Sequence, residues 1–257
     1  MCSSDLNTGR FFLRKFPEHV LRNLVSLSLF PSSFSTDDIR FLFDDDYQLE
    51  SVKMKLIQCC LLQKINDELL TIPPLIKTYC REERDSLIGR AAEHKFNHHY
   101  LELLRGLHKT FITKDSSSDA IFSFRKNKAN IMEALKNCLK DTSEAEEKAF
   151  AIDVANEVVD FLAKILSPPI ECTKLYRKCC QIARHSADEK RLADSLNSSA
   201  FRRLEDVAHG MDDNTTLQMF QEAYDIGKRL PEEEQKNEKR AHATTKLGLC
   251  VLLQVTI

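Results

Sequence analysis

The chain has 257 residues, 42% apolar and 30% charged, with a formal net charge of −2. That is the composition of a folded chain, not a disordered one, and the length suits one large domain or two small ones. The near-neutral balance argues against a general polyanion binder, and six Gly and seven Pro favour helices with short connections.

Nine cysteines are scattered, with adjacent pairs at Cys59–Cys60 and Cys179–Cys180. They form no CxxC and no spacing of a disulfide framework. The first residues lack the apolar stretch of a secretory signal. No run reaches the roughly 18 apolar residues of a membrane span. The expected setting is reducing and cytoplasmic, with free, buried thiols.

Residues 1–15 read as a tail or the remnant of an upstream domain, since Phe11, Phe12 and Phe16 have no local element to bury them. A first helix starts at Pro17, carries Val20, Leu21, Leu24, Leu27 and Leu29, and ends before Pro31. Ser35, Thr36, Asp37 and Asp38 cap a second, over Ile39–Phe43. The carboxylates Asp44–Asp46 read as a solvated loop. Leu49, Val52, Leu56 and Cys60 mark a third helix. Leu61–Ile65 and Leu69–Ile72 then read as two short strands around Asn66-Asp67-Glu68. Pro73 and Pro74 stop the second strand, and Leu75, Ile76 and Tyr79 begin another helix. This order is the outline of a winged-helix domain, bounded at residues 16–88.

A linking helical hairpin follows over residues 89–142, with helices at Ala91–Lys109 and Phe122–Leu139. Residues 143–257 read as helical repeats: one helix over Glu144–Leu166, stopped by Ser167-Pro168-Pro169, then a weak internal repeat. Tyr176 matches Phe220, Cys179 matches Ala223 and Ile182 matches Ile226, each 44 positions on. Aromatic, small and aliphatic residues three apart fit the second helix of a helical hairpin. Leu247 and Gly248 fit the first helix of a further hairpin that the sequence leaves incomplete. The fold class expected is therefore mainly α, a winged helix followed by an α-solenoid.

These pieces resemble the C-terminal part of NB-ARC or STAND signalling ATPases, the apoptosome and immune-receptor class. Leu24–Ile39 (LVSLSLFPSSFSTDDI) is similar to the family's "L-x-x-L-S-v-F-p-x-x-F" stretch. Leu56–Cys80 (LIQCCLLQKINDELLTIPPLIKTYC) resembles its "S-L-L … H-P-L-I-R-x-Y-a" segment. Phe124–Leu139 resembles the "E-x-x-N-I-x-x-A-L" helix that follows, and the tail is similar to tetratricopeptide (TPR) repeats of the longer type. The resemblance implies a protein partner held by the TPR-like superhelix and an upstream nucleotide-binding module. The phosphate-gripping G-x-x-x-x-G-K-[ST] loop of that module is absent from this sequence. The family's phosphate-sensing His position is occupied by Pro73, which offers no donor. No cofactor is expected.

Other constellations read as structure. His94 and His98, with His99, Glu93 and Glu102 nearby, share a helix face but lack the third or fourth convergent ligand that zinc wants, so no metal is expected. Ser195, His185 and Asp188 show no nucleophile elbow. Residues 1–80 hold nine Lys/Arg against ten Asp/Glu, too acidic for a typical DNA reader despite Lys53, Lys55 and Gln58 on the third helix. The function expected is a non-catalytic interaction and regulatory module. The alternative is a winged-helix transcription regulator with a helical sensor tail.

Overall fold

A computed structural model describes residues 16–43, 46–82, 87–113, 117–207 and 213–230 of the chain. The described chain is mainly helical. It divides into two compact units: Met1–Leu103 with Phe124–Asn137, and Leu104–Ser123 with Cys138–Ile257. Leu247, Gly248, Phe11, Phe12, Asp44 and Asp45 lie outside the described residues.

In the first unit, α1 (Glu18–Leu27) buries Val20, Leu24, Val25 and Leu27. The apolar run continues beyond the helix, and Leu29, Phe30 and Phe34 are each 1% exposed. Phe30 is the hub of this core. Its ring centroid lies 4.8 Å from Phe34, 5.3 Å from Phe96 and 6.2 Å from Tyr100. Edge-to-face pairs of this kind add about 0.5–1.5 kcal/mol beyond burial.

Ser35 closes β1 (Phe34–Ser35) and caps α2 (Thr36–Ile39) through a reciprocal box. The Asp38 N–H donates to Ser35 Oγ at 3.2 Å, and the Ser35 N–H donates to Asp38 Oδ2 at 2.7 Å. The cap sits where the sequence puts it, but the helix starts earlier than Ile39 and gives way to a 3₁₀ turn over Arg40–Leu42.

Next, α3 (Asp46–Gln58) points Leu49, Val52 and Leu56 inward. It ends on Cys60, whose φ of 57° is left-handed. The N–H groups of Leu61 and Leu62 then donate to the Leu56 carbonyl at 2.9 and 3.2 Å, satisfying a helix-end acceptor. The chain turns into β2 (Gln63–Lys64) and β3 (Leu69–Thr71). Asn66 ties the turn by accepting from the N–H groups of Glu68 and Leu69 at 2.9 and 2.7 Å.

The sheet has a third strand. Its order is β1-β3-β2, both pairs antiparallel, with Phe34 opposite Leu70 and Gln63 opposite Thr71. β1 escapes the sequence reading because two residues carry no alternation, and one of them is already a helix cap. Then come α4 (Pro74–Glu82), α5 (Leu87–Ile112) and α6 (Ser117–Cys138). Within the first unit α5 and α6 run antiparallel, joined by two buried bonds. Asn130 Nδ2 donates to Tyr100 Oη at 3.0 Å, and Asn137 Nδ2 to Asn97 Oδ1 at 3.4 Å.

The second unit holds α7 (Ala145–Glu157), α8 (Val159–Ile165), α9 (Pro169–His185), α10 (Glu189–Val207) and α11 (Asp213–Gly227). One helix was expected over Glu144–Leu166; instead it breaks at Val158, with φ −105° and ψ 17°. No Gly or Pro announces that break. Tertiary packing sets it, since Val158 is fully buried.

Helix starts recur: Ala145 and Glu189 are 44 residues apart, as are Pro169 and Asp213. Buried positions recur at the same interval. Ala151 and Ser195, Ile152 and Leu196, Cys172 and Thr216, and Tyr176 and Phe220 are all at most 2% exposed. α10 packs against α7, α9 and α11, and Cys180 of α9 shares a core cluster with Ala223 and Ile226 of α11.

Candidate functional site

Of the residues assigned to repeat packing, Tyr176 and Cys179 are fully buried, Phe220, Ala223 and Ile226 nearly so, and Ile182 is half-buried. Ion pairs accompany them. Arg184 grips Glu222 through two bonds of 2.8 and 2.7 Å, and Arg191 grips Asp153 through two of 2.8 Å. Lys178 meets Asp141 at 2.8 Å and Arg229 meets Glu189 at 3.4 Å. Each pair joins residues 37–40 positions apart: Arg184–Glu222 ties α9 to α11 and Arg191–Asp153 ties α10 to α7, while Arg229–Glu189 holds the end of α11 to the start of α10. The sequence reading missed them because each partner lies far beyond one helical turn. The hydrogen bonds from Asp153 and Asp188 push the Arg191 guanidinium above its ordinary value, so it stays charged.

Between Arg191 and Arg203 no residue of α10 is fully exposed. Its solvent-reaching residues include a row at i, i+4, i+7, i+11: Lys190, Asp194, Asn197 and Phe201. The equivalent stripe on α7, 44 positions earlier, is Glu146, Phe150, Asp153 and Glu157. There the Arg105 guanidinium stands 5.1 Å over the Phe150 ring and donates to Glu157 at 2.8 Å. The aromatic, amide and carboxylate groups of the two stripes thus fall in the same register on α7 and α10.

A second feature lies in the first unit. Phe41, His94, Lys95, His98, His99, Glu102 and Leu103 line an open cleft of about 700 Å³. The His99 ring stacks flat on Phe41, with centroids 3.7 Å apart and 3° between planes. Burial holds the His99 imidazole below its ordinary pKa, with the Asp38 carboxylate pulling the other way and His98 lowering it further. His94 and His98 are exposed, their centroids 6.2 Å apart. Among the described residues no group of three or more His, Cys, Asp or Glu is arranged to hold a metal.

The remaining candidates are held in other roles. Pro73 is half-buried and its carbonyl accepts from the Lys77 N–H at 3.0 Å, while Lys77 Nζ donates to the Phe30 carbonyl. Ser195 is fully buried and accepts from Asn156 at 3.2 Å. His185 contacts its own helix carbonyl at Gln181, and Asp188 binds Arg191. Burial pushes the Cys179 thiol well up and the Cys180 thiol to about 11, so neither ionises near neutrality. On α3 the outward residues are Tyr47, Glu50, Ser51, Met54, Lys55 and Gln58. Tyr47 is 86% and Met54 49% exposed. Lys53 is tied to Glu50, leaving little cation for a phosphate backbone.

No described helix is long and apolar enough to cross a membrane. Comparison with protein-family models, curated proteins and solved structures finds no match to this chain.

Proposed function

We propose that the chain is a non-catalytic interaction and regulatory module of a STAND or NB-ARC-like signalling protein, working in the cytoplasm. In this reading the first unit is a winged helix and the second a TPR-like superhelix that holds a protein partner. The observation that carries it is the 44-residue recurrence of helix starts and buried positions across α7–α11. Stacked repeats bury one face against each neighbour and leave another free for a ligand.

The first unit supports its half of the reading. The order helix, strand, helix, helix, hairpin, with sheet order β1-β3-β2, supports the winged-helix reading. The residues that carry the family resemblance are also core residues. Leu24, Leu27, Ser28, Leu29, Phe30 and Phe34 are buried, and so are Asn130, Ile131, Ala134 and Leu135. Pro73 in place of a His leaves no side-chain donor for a phosphate, so regulation works through packing rather than nucleotide contact.

The test is a peptide-display selection on the full chain, repeated with Asp194→Lys and with Asn197→Ala. A selected peptide that loses affinity for both variants supports the reading. Selected peptides indifferent to both, or no enrichment in any round, would remove the superhelix as the binding surface.

A further inference from the structure

We propose that His94 and His98 form a two-imidazole site for a borderline divalent transition-metal ion such as Zn²⁺. The site is independent of the partner-binding surface in the second unit. Both residues sit on α5, one helical turn apart, a spacing that puts their Cβ atoms about 5–6 Å from each other. Both are exposed and both line the open cleft of about 700 Å³ in the first unit. Their ring centroids stand 6.2 Å apart, with 40° between planes.

Two imidazoles on one tetrahedral zinc, with Zn–N bonds of about 2.0–2.1 Å, bring the centroids to roughly 5 Å. The difference is about 1 Å of side-chain rotation, which exposed side chains make in picoseconds to nanoseconds. Imidazole nitrogen suits zinc, copper and nickel, and not magnesium or calcium.

The cleft supplies the rest of the environment. Its open mouth leaves the other coordination positions to water. Glu102, one turn beyond His98, adds a carboxylate to the wall, while Lys95 sets one opposing charge on a flexible stem. His99 takes no part, because its ring is stacked on Phe41. With two protein ligands the site is an open, exchangeable one and not a closed structural zinc. A Glu directly after His94 would have placed a base beside the metal; Lys95 stands there, so hydrolysis is not part of the proposal.

The experiment is a thermal unfolding titration with ZnCl₂ and, in parallel, MgCl₂. It uses the full chain carrying Cys59→Ser and Cys60→Ser, so that the exposed Cys60 thiol and its half-buried neighbour do not compete. The expected result is a rise in unfolding temperature with zinc alone, lost in His94→Ala and lost in His98→Ala. Both histidines are on the surface, so both variants should keep the parent circular dichroism spectrum. Nickel broadening of the His94 and His98 ring proton signals, without matching loss at His185, reads the same site with neither histidine altered. A parent protein that zinc does not stabilise, a shift that survives in both variants, or nickel broadening that spares the two rings would each overturn the site.

Discussion

The Tyr176 hydroxyl donates to the carbonyl oxygen of Ala155 at 2.7 Å, with both residues fully buried. Ala155 lies three residues before the break at Val158, where the helical ladder is interrupted. Forty-four positions on, Phe220 fills the Tyr176 role without a hydroxyl, and α10 runs past the equivalent point unbroken. The single oxygen that distinguishes the two aromatic residues is therefore matched to a break in the helix it faces. Replacing Tyr176 by Phe should cost about 1–2 kcal/mol, because it leaves a buried acceptor short of its partner. Urea unfolding at constant m-value measures it, and an unchanged midpoint would show that water or a rearranged backbone takes over the carbonyl.

Two helices end on a non-glycine residue in the left-handed region, Cys60 at φ 57° and Ala187 at φ 54°. After Ala187 the Asp188 N–H reaches back to the Ala183 carbonyl at 3.1 Å, the bond that a left-handed terminator makes possible. A Cβ at such a position is strained, by about 1 kcal/mol. Cys60→Gly and Ala187→Gly should each raise stability by up to about 1 kcal/mol, less the extra freedom glycine gives the unfolded chain. Calorimetric unfolding temperatures decide the sign.

The stack of His99 on Phe41 links stability to pH. Burial lowers the His99 pKa from 6.5, so the folded protein holds the neutral ring longer than the unfolded chain does. Its contribution is fully present above the unfolded value and is lost as pH falls through the folded one. His99→Phe keeps a flat ring on Phe41 and removes the proton. Between pH 7.5 and 5 the parent should lose stability relative to this variant, as read by parallel denaturant curves. Parallel pH profiles for the two proteins would mean the ring does not titrate as argued.

Asp153, Asp188 and Arg191 form a network that joins α7 to α10. The Arg191 and Asp153 side chains are 31% and 43% exposed, so solvent screens much of the attraction. A bidentate pair in such a place is worth about 1 kcal/mol or less. A double-mutant cycle with Arg191→Ala and Asp153→Ala should return a coupling of that size at low salt, shrinking in 1 M NaCl.

Inside the first unit, Asn130 is 7% exposed and bonds Tyr100. Burial, reinforced by the Asp38 charge, pushes the Tyr100 hydroxyl far above its ordinary pKa, so it stays protonated. Asn130→Ala should destabilise by about 1–3 kcal/mol through an unpaired hydroxyl and a small void. Asn130→Asp tests the polar role separately, because it replaces the donated N–H with an acceptor for the Tyr100 hydroxyl and brings a charge into an apolar place.

How much of this was legible depended on the reach of each signal. The long helices α5 and α6, the hairpin and the Ser35 cap come from neighbours within four residues, and the sequence shows them. The contact of Phe30 with Phe96 and Tyr100 spans more than sixty positions and leaves no local mark. The same is true of β1, which is a strand only because Phe34 and Ser35 pair with Leu70 and Leu69. The break at Val158 follows from what packs around it. Of the surface, the His94–His98 spacing was visible, but the cleft they share depends on Phe41 arriving from another element.

The ion pairs that span 37–40 positions carry one more consequence, for how such a chain changes over generations. Asp153 of α7 and Arg191 of α10 face each other across the joint between those helices, and both lie within one 44-residue span. A duplication of one 44-residue unit would therefore arrive with both halves of its own joints. Adding that span again would reuse an existing joint rather than require a new one.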